Sequence, residues 1–74
     1  MLTRLRELRE DNDLNQTEIA KVLNISQRTY SSYETGDRTI PYSALMKLAY
    51  FYNTSVDYIL ELTDLSKPYP RKKK

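Results

Sequence analysis

Three residues, Asn24, Ile25 and Ser26, have to end one helix and begin another. Upstream, Ile19, Ala20 and Leu23 recur at helical spacing; downstream, Tyr30, Tyr33 and Glu34 do so at i, i+3 and i+4. Asn24 suits a left-handed terminator, because after Gly it is among the residues that best tolerate positive φ. Ser26 suits an N-cap, and Ile25 plugs the bend between them. A turn this short forces its two helices to cross steeply and touch near the bend. Contact that close needs a small side chain, and Ala20 supplies it.

The rest of the chain divides around one Gly and a few Pro residues into pieces with periods near 3.6 rather than 2. A first helix is expected from about Leu2 to about Asp11, with Leu5 and Leu8 inward and Arg9 beside them. Asn15 caps the second, and Glu18 stands where a capping box puts its carboxylate. The third stops at Gly36. Pro41 suits the first turn of a fourth, in which Leu45, Leu48, Ala49 and Tyr52 repeat at i, i+3, i+4 and i+7, with Asn53 closing it. Ser55 caps a fifth, with Val56, Ile59 and Leu60 inward and Asp57 in its first turn, where the helix dipole favours a carboxylate. The fold class is all-α: one five-helix domain over residues 1–65, then a basic tail, residues 66–74, expected to be disordered.

Charge is unevenly divided. Residues 1–66 carry seven Lys and Arg against ten Asp and Glu, a net −3, and the five cations of KPYPRKKK bring the 74 residues to +2. With no Cys and no His, disulfides, thiolate metal sites and the commonest neutral-pH general base are all excluded. The remaining carboxylates sit among polar neighbours with no apolar setting to raise their pKa, so neither an enzyme nor a cofactor is expected. No apolar run approaches the roughly 20 residues of a membrane span, and MLTRLRELRE lacks the unbroken apolar segment of a signal peptide. A soluble cytoplasmic protein is expected.

"LRELRE", "QTEIAKVLNIS", "YETGDRTIP" and "LMKLAYFYNTSVDYIL" follow one another in the order and spacing of a known pattern. The chain resembles, over residues 4 to about 62, the lambda-repressor and Cro-like helix-turn-helix regulators, also called the xenobiotic-response-element class. Two positions depart from the pattern: Asn24 stands where Gly is most frequent, and Asp37 where a neutral or basic residue often faces the DNA backbone. The resemblance implies that the third helix enters the major groove of double-stranded DNA.

That implication fits an odd feature of the third helix. Its outer face, Gln27, Arg28, Ser31 and Ser32, has amides, hydroxyls and one guanidinium in place of the usual Lys and Glu. Such groups match the donors, acceptors and thymine methyl displayed in the major groove. Gln27, Arg28 and Ser32 are the expected base readers, with Ser31 and Thr29 beside them; the bland reading is a merely solvated face. Arg28 suits the O6 and N7 of a guanine, and Gln27 an adenine. Phosphates should meet helix N-termini, at Asn15 and Gln16 for the second helix and Ser26 for the third. The resemblance implies that Gln16 holds a phosphate and braces Gln27, and that Arg38 and Thr39 grip the backbone beyond the groove.

Tyr30 and Tyr33 share the packed face and read as core rather than as base-stacking aromatics. Arg9 and Glu34 lie on apolar stripes, and the resemblance implies a structural ion pair between them across helices 1 and 3. Tyr42, Met46 and Tyr50 form a second stripe on helix 4, which with Phe51 and Tyr58 reads either as partial cover for the core or as a dimer surface. The tail reads either as a solubilising end or as a source of non-specific DNA affinity. The expectation is a homodimeric repressor on a palindromic operator, with no sensor domain after helix 5. The rival is a protein-interaction module, such as an antitoxin that covers a partner protein, and the aromatic stripe and acidic body favour it.

Overall fold

The computed structural model describes residues 3–68. Five helices and no strand occur among the described residues: α1 (Thr3–Asp11), α2 (Gln16–Leu23), α3 (Gln27–Thr35), α4 (Tyr42–Phe51) and α5 (Val56–Ile59). Leu2, the expected start of the first helix, and residues 69–74 of the basic tail lie outside the described residues.

Local chemistry sets most of these boundaries. Asn15 Oδ1 accepts the Glu18 N–H at 2.8 Å and Glu18 Oε1 accepts the Asn15 N–H at 2.9 Å, a reciprocal capping box. Asn24 ends α2 at φ 57° and ψ 45°, its N–H reaching the carbonyls of Ala20 and Lys21. Ser26 Oγ then accepts the Thr29 N–H and opens α3. Gly36 closes α3 at φ 88°, a conformation that costs a side-chain-bearing residue more. Pro41 is the N-cap of α4 rather than a residue of its first turn; its extended ψ of 153° lets its carbonyl accept from Ala44 and Leu45.

Each helix contributes one side chain with no exposed surface: Leu5, Ile19, Tyr30, Leu48 and Ile59. Burial of each is worth about 1.5–3 kcal/mol against exposure. Ala20 is buried, 2% exposed, on α2, which packs against α3. Ile40 is also buried, which pins the α3–α4 loop to the core and holds the flanking Arg38 and Thr39 at the surface. No helix is long and apolar enough to cross a membrane, among the described residues.

Ordered contacts continue past α5. Arg4 Nη1 donates to the carbonyls of Tyr58 and Thr63, both at 2.9 Å, and Nη2 to Asp64 Oδ1 at 2.9 Å. Its guanidinium lies 4.0 Å from the centroid of the Tyr58 ring. The buried Thr54 hydroxyl donates to the Ser66 carbonyl at 2.7 Å, so contact with the helical body runs one residue beyond the expected domain end.

Candidate nucleic-acid interface

The short α2–α3 turn brings the start of α2 beside the start of α3. Gln27 Nε2 donates to Gln16 Oε1, and Gln16 Nε2 donates to Glu34 Oε1 at 3.1 Å. Arg9 completes the chain, Nε donating to Glu34 Oε2 at 2.8 Å and Nη2 to Oε1 at 3.3 Å. Its remaining Nη1 donates to the Leu14 carbonyl at 3.0 Å. A continuous run of polar side chains therefore joins the exposed Gln27 to an ion pair whose side chains are 12% and 7% exposed. The resemblance anticipates the pair and the brace; the bond that links them, from Gln16 to Glu34, is an addition from the structure.

Against the expectation of polar surroundings for every carboxylate, Glu34 is buried, which by itself would raise its pKa; hydrogen bonds from Arg9 and Gln16, the nearby Tyr30 hydroxyl and the charge of Arg9 outweigh burial and hold the carboxyl below its usual value. The same hydrogen bond raises the Arg9 pKa. The Tyr30 hydroxyl lies buried beside Glu34 without a hydrogen-bond partner. Burial first, and then the neighbouring carboxylate, keeps it protonated far above the usual tyrosine range. Burial likewise pushes Tyr52 up to about 12.

On the outer side of α3, Gln27, Arg28, Ser31 and Ser32 line an open concavity with Thr35 and Asp37. Gln27 and Arg28 are exposed, and Ser31 and Ser32 are half-buried. The Ser32 hydroxyl donates to the Thr29 carbonyl at 2.6 Å, which leaves its lone pairs rather than its proton for a visitor. Thr29 turns toward the cap instead, its hydroxyl accepting from Ser26 Oγ at 2.9 Å. Thr35 is an addition to the expected residues, and its sequence signal is its spacing of four from Ser31; Asp37 is the acid already noted as a departure from the family pattern at a position that faces the DNA backbone.

Asn15, Ser26, Arg38 and Thr39 are exposed and Gln16 is half-buried. The Asn15 and Ser26 side-chain oxygens are occupied by the caps, so what they offer an anion is the N-terminal backbone of their helices. Tyr30 and Tyr33 join the core or pack against it. Tyr42, Met46, Tyr50 and Phe51 are 69%, 50%, 68% and 46% exposed, a large apolar surface for so small a domain. Tyr58 does not belong with them: it is half-buried, because its ring supports the Arg4 guanidinium. Arg4 itself was missed. It stands four residues before the inward Leu8, as Arg9 stands four after the inward Leu5, and that spacing was the available signal.

A family model described as helix-turn-helix matches residues 5–59. The uncharacterized HTH-type transcriptional regulator YobD of Bacillus subtilis (strain 168) is 41% identical over 61 residues, which cover 82% of this chain and 54% of that protein. The HTH-type transcriptional regulator ImmR of the same organism is 39% identical over 64 residues, 86% of this chain and 50% of ImmR. The cryptic phage CTXphi transcriptional repressor RstR of Vibrio cholerae is 35% identical over 54 residues, 73% of this chain and 49% of RstR. The chain thus spans about half the length of the curated relatives it matches. No solved structure matches it significantly.

Proposed function

Since the chain belongs to the lambda-repressor and Cro-like helix-turn-helix family, we propose that it is a transcriptional regulator whose α3 reads bases in the major groove. The family is one of DNA-binding regulators, not of enzymes. In this reading residues 1–65 form the DNA-binding domain and residues 66–74 a basic tail. The observation that carries it is the α3 concavity, whose lining has amide, guanidinium and hydroxyl groups where a solvated helix would show alternating charge. At nine residues α3 is about 14 Å long and, with its side chains, about as wide as the major groove it would occupy.

Gln27 and Arg28, in the first turn, reach base edges, and Ser31 and Ser32 make shorter contacts one turn later. The N-termini of α2 and α3, at Asn15, Gln16 and Ser26, meet phosphates, as do Arg38 and Thr39 beyond Gly36. Asp37, in the wall of the concavity, opposes phosphate at its end and so limits tight binding there. The protein acts as a homodimer through Tyr42, Met46, Tyr50 and Phe51, and represses by occupying a palindromic operator.

Selection of bound sequences from a random DNA library at two salt concentrations tests this reading. An enriched inverted repeat supports it. A second reading, a protein-interaction module such as an antitoxin, is favoured by the exposed tyrosines and methionine of α4. Library DNA bound with no enriched sequence, in a protein that captures a partner through α4, would turn the account to that reading.

A further inference from the structure

The run of polar side chains from Arg9 to Gln27 has a direction, and the direction is dictated from inside. A carboxylate accepts hydrogen bonds and donates none. Glu34, ionised against Arg9 with both oxygens engaged, therefore admits only the NH2 end of the Gln16 amide. Gln16 must then turn its carbonyl oxygen toward Gln27. That oxygen also only accepts, so the Gln27 atom that meets it is Nε2. Gln27 is left with Oε1 and one N–H for whatever approaches from solvent. Turning Gln16 over would set its oxygen against the Glu34 carboxylate and its NH2 against the NH2 of Gln27. Two hydrogen bonds would become two repulsive contacts.

Adenine offers the major groove an N7 acceptor beside an N6 donor, whereas guanine offers two acceptors, N7 and O6. An outward carbonyl oxygen with one neighbouring N–H matches adenine and opposes guanine at O6. We infer that Glu34 is a positioning residue for base choice: acting through Gln16, it fixes which end of the Gln27 amide faces DNA and so selects adenine over guanine there. The inference rests on α3 being the recognition helix. Arg9 takes part only by keeping Glu34 charged. Selectivity at one base pair is thereby set by a buried residue that touches no base.

The test is sequence selection from a randomised library by the 74-residue chain, by Q16M and by R9M/E34L. Q16M cuts the relay and leaves the ion pair intact; R9M/E34L removes the group that orients Gln16. The wild type should prefer A to G at one position of each half-site by roughly 10-fold, and both variants should bring that ratio to within about 3-fold of unity. Preference for guanine at the neighbouring Arg28 base pair should persist in all three. Removing a phosphate ligand at Gln16 lowers affinity for every sequence and leaves these ratios unmoved.

A to G preference retained by either variant overturns the relay, as does a wild type that reads guanine through Arg28 but shows no A to G preference beside it. A wild type with no base preference anywhere overturns the reading of α3 and the relay with it. Should R9M/E34L fail to fold, NMR of the wild type decides. Scalar coupling across the hydrogen bond from Gln16 Nε2 to the Glu34 carboxylate carbon supports the relay; no coupling, with rapidly exchanging Gln16 amide protons, overturns it.

Discussion

Replacing Glu34 by Leu should be among the most damaging single changes in this domain. The carboxylate is 7% exposed and accepts two hydrogen bonds from Arg9 and one from Gln16. Its loss strands a guanidinium that is itself 12% exposed, with only the Leu14 carbonyl still accepting from it. Breaking a buried pair from one side costs about 3–5 kcal/mol, against a total stability for 74 residues of about 4–11 kcal/mol. At roughly 4–8 °C per kcal/mol for a domain of this size, Tm should fall by at least about 12 °C. Arg9→Met should cost a similar amount, because it leaves the carboxylate buried with Gln16 as its remaining strong donor. In the double variant the desolvation penalty of both charges disappears, and apolar side chains take the place of the pair in a site that is 12% and 7% exposed. R9M/E34L should therefore lie within about 2 kcal/mol of the wild type. Urea unfolding of the four proteins, followed by circular dichroism, gives the coupling energy directly. Additive losses, to within about 0.5 kcal/mol, would mean that the two side chains do not act as a pair. Single losses below about 1 kcal/mol would mean that water screens them as it does a surface pair.

Further outcomes follow from the same geometry. Because the Glu34 carboxyl is held below its usual value near 4.5, the unfolded chain binds a proton that the folded one refuses, so this stability is fully present above about pH 4.5 and is lost as pH falls further; urea midpoints along an acid series read the decline. Tyr52, pushed up to about 12, and Tyr30, raised further, work in the opposite sense: their contribution is full below the ordinary tyrosine value near 10 and is lost as pH rises toward and beyond 12, visible as an alkaline limb in the same midpoints. Asn15→Ala removes one arm of the capping box and should cost about 1 kcal/mol in thermal melts, with base preference unchanged. Deleting residues 67–74 removes five cations and should weaken binding to all DNA alike, lowering the slope of log affinity against log salt by about 0.9 for each phosphate that the tail neutralises; an unchanged slope would show that the tail stays in solution.

What could be read in the sequence was whatever short-range chemistry decides. Asn15 with Glu18, Asn24, Ser26 and Gly36 mark their helix ends through bonds that span three or four residues; Asn15, Asn24, Ser26 and Gly36 are the caps in the structure, and Glu18 closes the capping box from the first turn of α2. The inward side chains followed from period, since Leu5, Ile19, Tyr30, Leu48 and Ile59 all lie on the expected stripes. The outer face of α3 is legible in part for a related reason: the side opposite a buried stripe turns outward, which leaves Gln27 and Arg28 exposed, while Ser31 and Ser32, nearer the packed side, are half-buried. For Arg4 the spacing of four from Leu8 marks a place beside the core but not its partners, because its acceptors are carbonyls 54 and 59 residues away and a carbonyl carries no signature of residue type. The half-burial of Tyr58 is hidden in the same way, since its exposure depends on whether Arg4 covers it. The Gln16–Glu34 bond lay between those cases. The resemblance makes one a brace and the other half of an ion pair, but their meeting depends on the angle at which α2 crosses α3, which no local pattern states.

The central claim, that α3 reads sequence while the loop after it only holds the backbone, is tested most directly by comparing the base preferences of Arg28→Ala and Arg38→Ala with those of the wild type. Arg28, exposed in the first turn of α3, should account for a guanine, so its loss should cost about 1–3 kcal/mol on the best operator and relax preference at one base pair in each half-site. Arg38, exposed beyond Gly36, should weaken every sequence alike. In a homodimer the two relaxed base pairs must be related by the operator dyad, with half-site centres about 34 Å apart. One relaxed pair without a symmetric mate would contradict the dimer, and an Arg28→Ala protein with unaltered base preference would contradict the assignment of α3 as the reader.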